Sequence, residues 1–168
     1  MDVIIVDKDD RIICNEEKIK AHKEGMLHRA FSIFIFNSKK ELLLQKRGLK
    51  KYHSGGKWSN TCCSHPEQEE NIKEQAEERL KKEMGISTEL KEIFSFVYKT
   101  KVDNNLTEHE YDHVFLGYYN NDPKPDKNEV DNWKWMDIEK LEQDIKNNPD
   151  KYTPWLKICL DKVIEKIN

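Results

Sequence analysis

The sequence predicts one mixed α/β domain spanning residues 1–168. Short runs of β-branched and aromatic residues alternate along the chain with segments of helical periodicity, which indicates a sheet packed against helices. The length suits a single hydrophobic core. The chain contains no internal repeat and no low-complexity linker that would divide it.

Strands dominate the predicted N-terminal half. Four apolar runs are expected to form strands: residues 3–6, 11–14, 30–36 and 42–45. The first two surround a polar turn and predict a hairpin, whereas the other two are apolar on both faces, as buried strands are. Residues 18–27, which are polar and contain Gly25, and residues 50–64 are predicted to be loops.

The clearest helix is predicted over residues 72–84. Asn71 is expected to cap its first turn, with Glu74 three residues later as in a capping box, and Gly85 is expected to end it.

The C-terminal half is predicted to complete the sheet and cover it. Strands are expected at residues 93–98, 112–119 and, as an edge strand, 133–136. Residues 122–128 form a predicted surface loop, Asp137 is expected to cap a helix over 138–145, and Pro154 to open a final helix. One face of that last helix should pack on the sheet through Trp155, Cys159, Val163 and Ile167.

Charge and composition exclude several classes of protein. The chain carries 29 basic and 32 acidic residues, a net charge of −3, which argues against a nucleic-acid partner held by bulk positive charge. The four cysteines lack the spacing of a secreted disulfide scaffold. No run approaches the roughly 18 apolar residues of a membrane helix, and no signal peptide is recognisable. The expected protein is soluble and cytoplasmic, with no membrane partner.

Five residues of metal-ligand type lie in three segments: His22, His28, His65, Glu108 and Glu110. The alternation of a strand would aim Glu108 and Glu110 at one face. Three imidazoles and two carboxylates suit Mn, Zn, Fe or Mg rather than a thiolate zinc site. The remaining histidines, His53, His109 and His113, are interpreted as ordinary surface or loop residues, since the sequence names no partner for them.

Two adjacent cysteines, Cys62 and Cys63, precede His65 in the polar segment 59–66. Free cysteine prefers an apolar core, so this position needs an explanation. A zinc knuckle is one, although a second Cys/His pair at ligand spacing is missing. A reactive thiol near a metal and basic residues is the other. The residues alone leave both open.

Several basic residues are candidates for binding an anion. Arg79 and Glu83 lie four residues apart on the predicted helix, where an ordinary surface ion pair is the simplest interpretation. Lys18, Arg47 and Lys51 stand on predicted loops or strand ends, where plain surface charge is common. Together with Arg79 they would alternatively clamp a diphosphate, which is recognised by fixed donors and a bridging Mg2+.

Four ordered blocks between about Lys18 and Trp155 carry a family resemblance. They are LHRAFS at 27–32, NTCCSHP at 60–66, EHEYD at 108–112 and TPW at 153–155. In these blocks the chain resembles the type I isopentenyl-diphosphate isomerases. The resemblance implies a Nudix-like fold, in which a central mixed β-sheet is sandwiched between helices.

The resemblance also implies roles for individual residues. One divalent metal (Mn, Zn or Mg) would be bound by His22, His28, His65, Glu108 and Glu110. The catalytic pair would be Cys63 and Glu110, with Tyr98 able to pass a proton and Trp155 lining the cavity. The diphosphate would be held by Lys18, Arg47, Lys51, Ser64 and Arg79. A Mg2+ would be placed against it by Glu83 and the backbone carbonyl of Cys63.

The activity implied is the interconversion of isopentenyl and dimethylallyl diphosphate, a homoallylic and an allylic small molecule, in isoprenoid biosynthesis. Protonating an isolated alkene yields a tertiary carbocation, so the site needs an acid, a base for C2 and protection from water. A thiol and a carboxylate on opposite sides would meet this need, and the indole of Trp155 would stabilise the cation. Which group protonates first stays open, as does the oligomeric state, a monomer or a weak dimer.

Two other functions compete with this one. A Nudix diphosphate hydrolase needs several glutamates before Gly85, in the pattern R-E-U-x-E-E-x-G-U where U is aliphatic. Here Arg79 and Lys82 occupy two of the glutamate positions, and only Glu83 is in register. A non-catalytic zinc-binding interaction module built on segment 59–66 would leave the two strand glutamates and the basic residues without a role.

Overall fold

The computed structural model describes all residues, 1–168, and contains nine strands and four α-helices. The strands are β1 (Asp2–Val6), β2 (Ile12–Glu17), β3 (His28–Phe36), β4 (Glu41–Arg47), β5 (Trp58–Ser59), β6 (Cys62–Ser64), β7 (Lys91–Lys101), β8 (Thr107–Tyr118) and β9 (Val130–Asp137). The helices are α1 (Lys18–Glu24), α2 (Ile72–Met84), α3 (Ile138–Asn147) and α4 (Pro154–Ile167), with a short 3-10 helix at Pro149–Lys151.

All nine strands belong to one mixed sheet organised around β3. β3 runs parallel to β8, in register from His28 opposite Glu110 to Phe36 opposite Tyr118, and antiparallel to β1, β4 and β6. β7 pairs with the other side of β8, and β9 pairs only with β4 and forms an edge, as predicted. Every residue of β3 is buried, because protein covers both faces of the strand.

Helices cover both faces of the sheet. Because successive side chains of a strand point to opposite faces, Phe31 and Ile33 belong to a core that includes Leu80 of α2, whereas Phe34 belongs to a second core that includes Leu156 of α4. The predicted central mixed sheet between helices is therefore confirmed. No helix is both long and apolar enough to cross a membrane.

Helix α1 occupies most of the segment 18–27, so the predicted loop is wrong there. The helix begins because the Glu17 side chain accepts hydrogen bonds from two backbone amides of the first turn, at 3.0 and 2.8 Å. It ends at Gly25, whose φ of 64° lies in the left-handed region. Only Ala21 and His22 of this helix are buried, so it lacks the apolar stripe by which a helix is recognised in a sequence.

The structure also tests the predicted loop at 50–64 and the predicted ends of α2 and α3. The predicted loop at 50–64 contains the short strands β5 and β6, whereas α2 has its predicted bounds and ends at Gly85. The predicted capping box is wrong, because Asn71 has a φ of 58° and its side chain makes no cap hydrogen bond; a capping residue normally has extended backbone. Asp137 does cap α3, accepting a hydrogen bond from the Lys140 amide at 3.2 Å.

Candidate active site

The pairing of β3 with β8 builds the centre of the site. β8 begins earlier than predicted, so Glu108 and Glu110 both lie in the strand and face one side of it, with Glu110 opposite His28 of β3. Both carboxylates are buried. His109, between them, points away and lies 2.8 Å from the carbonyl oxygen of Gly25. The strand alternation predicted for this segment is confirmed.

Five potential ligand atoms converge here from four different elements. His22 of α1, His28 of β3, His65 after β6, and Glu108 and Glu110 of β8 offer atoms that all lie within 4.8 Å of one another. His22 Nε2 is 3.2 Å from Glu108 Oε1, and His65 Nε2 is 3.1 Å from Glu110 Oε1. The five residues predicted to bind one metal are therefore brought together, although they span 89 positions of the chain from His22 to Glu110.

The orientation of two imidazoles fits a cation in this cluster. His22 Nδ1 lies 2.6 Å from the Lys18 carbonyl oxygen, and His28 Nδ1 lies 2.8 Å from that of Met26. A carbonyl oxygen only accepts, so both rings carry their proton on Nδ1 and present the lone pair of Nε2 to the cluster. His28 Nε2 and Glu108 Oε2 are buried and make no hydrogen bond. A bound cation would satisfy both atoms.

Electrostatics indicate the same ligand. Burial and then repulsion from Glu110 raise the pKa of Glu108 to about 8, against opposing interactions with His22. Burial lowers the pKa of His65 to about 3, although Glu110 opposes this, so the imidazole is neutral. A neutral imidazole beside two adjacent carboxylates supplies no positive charge, and a divalent cation would supply it. The buried His/Glu cluster can hold a metal ion.

The two adjacent cysteines lie in strand β6 and have different surroundings. The strand pairs with β3, with Cys62 opposite Ile33 and Cys63 opposite Ser32. Cys62 is buried in the core beneath α2, whereas Cys63 lines the cavity next to the His/Glu cluster. The Cys63 Sγ donates to Asn60 Oδ1 at 3.1 Å, and burial raises the pKa of this thiol to about 12. Only Cys63 is therefore available to a molecule in the cavity.

The remaining cavity wall carries the aromatic side chains singled out in the sequence. Tyr98 Oη donates to Glu110 Oε2 at 2.7 Å, so a phenol and a carboxylate form one hydrogen-bonded unit. The indole N–H of Trp155 lies 3.2 Å from Asn60 Oδ1, the oxygen that also accepts from Cys63. Asn60 thus fixes Trp155 and Cys63 relative to each other, a role that its place in the NTCCSHP block did not reveal.

Two of the five predicted anion-binding residues line this cavity. These are Arg47 and Ser64, and the Arg47 guanidinium stands 5.1 Å from the centre of the Trp155 ring. Arg79 lines a neighbouring pocket that also includes Ser64 and His65. Burial, followed by repulsion from Lys51, Arg47 and Arg79, lowers the pKa of Lys18 to about 8, against an opposing attraction from Glu108. Each of these three cations therefore lies within electrostatic reach of Lys18.

Two glutamates already contact these cations. Glu129 Oε2 contacts Lys51 Nζ and lies 3.2 Å from Arg79 Nη2. Glu83 is buried and accepts from Arg79 Nε at 2.7 Å and from Gln45 Nε2 at 2.9 Å. Glu83 does not line the cavity that Cys63 lines. Nothing in the sequence pattern pointed to Glu129, which lies 78 positions from Lys51.

The three histidines for which the sequence names no partner all have one. His53 is buried, and its Nε2 contacts Glu108 Oε1. His113 Nε2 is 3.0 Å from Asp10 and its Nδ1 is 2.7 Å from Glu92. Each of the three therefore has a partner on another element, which could not be named from the sequence. His53 alone of the three reaches the His/Glu cluster.

Comparison with known proteins agrees with this geometry. The family model for the NUDIX domain matches residues 26–156. In solved structures, a protein of Deinococcus radiodurans named DR0079 superimposes with a TM-score of 0.73 at 14% identity, covering 88% of this chain and 90% of that one. A MutT protein from Methanosarcina mazei gives a TM-score of 0.59 at 22% identity, covering 70% and 81%. These two likenesses establish the fold.

Curated relatives are much closer in sequence. Isopentenyl-diphosphate Delta-isomerase 1 of Aromatoleum aromaticum is 51% identical over 96% of this chain and 92% of its own length. Isopentenyl-diphosphate Delta-isomerase 2 of the same organism is 50% identical over 96% and 86%. The enzyme of Serratia proteamaculans with the same name is 45% identical over 91% and 86%. The chain belongs to the isopentenyl-diphosphate Delta-isomerases, a family with the NUDIX fold.

Proposed function

We propose that the protein interconverts isopentenyl diphosphate and dimethylallyl diphosphate, a step of isoprenoid biosynthesis. The observation that carries the proposal is a single cavity lined by the Cys63 thiol, the hydrogen-bonded pair of Tyr98 and Glu110, and the indole of Trp155. These are groups for moving protons and sheltering a cation. Relatives about half identical to the chain carry the name of this activity.

The reaction conserves the number of protons on the substrate. One proton is added to C4 of the homoallylic alkene and another is removed from C2, with a tertiary carbocation between the two steps. In our proposal Cys63 and the Tyr98–Glu110 pair act from opposite sides, one supplying the first proton and the other removing the second. Tyr98 already donates to Glu110, so it is placed to pass a proton through that carboxylate to the substrate.

The cation between the two steps must be kept from water. In our proposal the face of Trp155 attracts it, since an aromatic ring carries negative charge density on its faces. Trp155 is 4% exposed and held through its N–H by Ser59 and Asn60, at 3.0 and 3.2 Å, so the ring is rigid. A fixed aromatic wall both excludes water and orients the carbocation.

The metal centre would be formed by His22, His28, His65, Glu108 and Glu110. Its N/O donor set fits Mn, Zn or Mg, and when bound the ion supplies the positive charge that keeps two neighbouring carboxylates ionised. Tyr98 holds Glu110 Oε2 at the cavity while Glu110 Oε1 is directed at His65. Glu110 thereby connects the metal centre to the reacting carbons.

The diphosphate would be bound by the cations Lys18, Arg47, Lys51 and Arg79, and by Ser64. We propose that a Mg2+ accompanies it, held by Glu83 and the backbone carbonyl of Cys63. In this state Glu83 is hydrogen-bonded to Arg79 and Gln45, so it would exchange one of these partners for the ion. The resulting neutralisation of the diphosphate is the usual role of Mg2+.

The rival functions fit the site less well. A hydrolase needs several carboxylates on α2, and only Glu83 is in register there, with both of its oxygens bonded to protein. A zinc-binding interaction module would need both cysteines, but Cys62 belongs to the apolar core. We further propose that residues 1–168 act as one domain, in the cytoplasm, as a monomer or weak dimer. The partner is a small diphosphate, and neither nucleic acid nor membrane.

A single assay tests the proposal. Purified protein is incubated with isopentenyl diphosphate and Mg2+, and both dimethylallyl diphosphate and free phosphate are quantified. We expect the allylic isomer and no phosphate above the level without enzyme. Release of phosphate or of the monophosphate without the isomer would identify a hydrolase, and the absence of all products with substrate-independent zinc binding would favour the interaction module.

A further inference from the structure

His53 is a fourth imidazole at the His/Glu cluster, and the proposed reaction does not use it. The residue is 2% exposed and lines the cavity, edge-on to Trp155 with the ring centres 5.7 Å apart. Its Nε2 contacts Glu108 Oε1, the oxygen that His22 Nε2 approaches at 3.2 Å. Glu108 Oε1 is therefore flanked by two imidazoles.

The loop between β4 and β5 fixes His53 in this place. Arg47 donates to the His53 carbonyl oxygen at 3.2 Å. The next amide, of Ser54, donates to the Asp103 carboxylate at 2.8 Å, and Asn104 donates to the backbone of the same loop at 3.0 Å. The loop is thus tied to the connection between β7 and β8, the strand that carries Glu108, and the imidazole is held rather than merely nearby.

The two ring nitrogens of His53 have few possible partners. Nδ1 lies 3.1 Å from Ser54 Oγ, a hydroxyl that can donate or accept. Nε2 is buried and makes no hydrogen bond as the ring now lies, and the only acceptor that it contacts is Glu108 Oε1. A buried polar atom left unpaired costs about 1–3 kcal/mol, so the ring gains most by turning its Nε2–H to the carboxylate. Ser54 then donates its hydroxyl proton to Nδ1.

We propose that His53 is a positioning residue of the metal centre: its Nε2–H donates to Glu108 Oε1 and directs Oε2 to the cation. Glu108 Oε2 is buried and makes no hydrogen bond to protein, as this arrangement requires. A hydrogen bond from a neighbouring residue fixes a ligating carboxylate, and its loss lowers metal affinity by about 10- to 100-fold. The inference rests on the proposed function, in which Glu108 binds a metal.

A further consequence concerns the loop itself. The same ten-residue connection carries Lys51, a proposed diphosphate ligand, two positions before His53. In our proposal His53 therefore connects the loop that binds the diphosphate with the metal centre. Replacing His53 should weaken both diphosphate binding and metal binding. The lower metal affinity should be measurable without any substrate.

The test measures the affinity of metal-free protein for Zn2+ alone, by competition with a chromophoric chelator. We expect His53→Leu, which fills the space but cannot donate, to bind Zn2+ about 10- to 100-fold more weakly than the original protein. His53→Gln keeps an N–H donor and should recover most of that loss. His113→Asn is the matched control, because His113 lies on the opposite face of β8, bonded to Asp10 and Glu92; it should bind Zn2+ normally.

Two results would overturn the proposal: His53→Leu binding Zn2+ as tightly as the original protein, or His53→Gln binding as weakly as His53→Leu. A second measurement needs no variant. In the Zn2+-loaded protein with 15N-labelled histidine, NMR should find the proton of His53 on Nε2, whereas a zinc-bound Nε2 would make it a ligand and refute positioning. If the original protein binds no Zn2+ at the cluster, both the proposed metal centre and the role of His53 are refuted. If the original protein binds Zn2+ and His53→Leu binds it with the same affinity, only the role of His53 is refuted.

Discussion

Buried glutamates occur in two places in this molecule, and the protein satisfies them very differently. Glu83 on α2 accepts one hydrogen bond on each oxygen, from Gln45 and Arg79. Glu108 and Glu110 lie side by side among histidines, and Glu108 Oε2 makes no hydrogen bond at all. A buried charge without a partner is costly. The protein therefore supplies the positive charge for Glu83 itself, whereas a metal ion in the His/Glu cluster would supply it for the strand glutamates.

The difference explains how a NUDIX sheet can serve an isomerase. The helix that would carry several carboxylates of the hydrolase pattern has only one of them in register, Glu83, which is already paired with Arg79. The carboxylates that need a cation stand instead on β8, next to a thiol and a phenol that can move protons. In our proposal the metal and the proton-transfer groups therefore lie on the sheet, and the helix side binds the diphosphate.

The largest expected effect separates the two glutamate sites by metal content. His65→Ala should lower the affinity for the tightly bound divalent ion by more than about 100-fold, beyond the loss of an outer partner, and abolish nearly all activity. Glu83→Gln should keep that ion. Metal content after gel filtration and product formation check both. Full activity after exhaustive chelation with only Mg2+ restored would mean that Mg2+ fills the cluster or that the cluster holds no essential metal.

The next effect distinguishes the two cysteines. Cys63→Ala should lower turnover by about 10⁴-fold, the upper end for a positioned acid or base, while metal and substrate still bind. Cys62→Ala removes a core side chain and should cost stability but keep most activity. Turnover rates and deuterium uptake from heavy water at C2 or C4 decide the matter. Equal losses in both variants, or normal turnover by Cys63→Ala, would contradict the proposed mechanism.

Much of the fold was predictable because the signals are local. The helix over Ile72–Met84 combines an apolar stripe with Gly85, which ends it in the left-handed region, and the period of two in β8 gave the common direction of Glu108 and Glu110. Helix α1 was missed because it buries only Ala21 and His22. A polar helix without an apolar stripe has no periodic signal to detect.

The site was predictable only as far as the family blocks reached. The five cluster residues lie in or near those blocks, and they converge as expected. His53 and Glu129 lie outside them, and their partners are 55 and 78 positions away. Such contacts depend on which strands become neighbours, and periodicity within one strand carries no information about that. That His53 and Glu129 belong to the site is therefore known only from the folded structure.

A smaller effect is expected from variants of the cations that are proposed to bind the diphosphate, which should change KM more than kcat. Arg79→Ala should raise KM by about 10- to 100-fold, since a hydrogen bond to a charged group contributes about 1.5–3 kcal/mol, with a lesser effect on kcat. Arg47→Ala and Lys51→Ala should behave alike, and added Mg2+ should partly restore Glu83→Gln. Steady-state kinetics check this, with thermal unfolding as a control for folding. Unchanged KM in all four variants would show that the diphosphate binds elsewhere.

The smallest expected effect tests whether Glu129 competes with the diphosphate for Lys51 and Arg79. Glu129 contacts Lys51 and Arg79, so a diphosphate has to compete with it for both. Partly exposed ion pairs contribute about 0.2–1 kcal/mol each, so Glu129→Gln should lower KM by roughly 2- to 10-fold at constant kcat.

The advantage of Glu129→Gln should shrink as salt is added, because the interaction that it removes is screened. Asp131→Asn is the matched control, since it removes the same charge two positions later, in β9, where the carboxylate faces Lys46 at 3.5 Å; its KM should not change. A higher KM in Glu129→Gln would mean that this carboxylate aligns Lys51 and Arg79 for the substrate. Glu129 would then resemble Glu83, which also positions Arg79. It would be a third glutamate whose charge the protein itself balances.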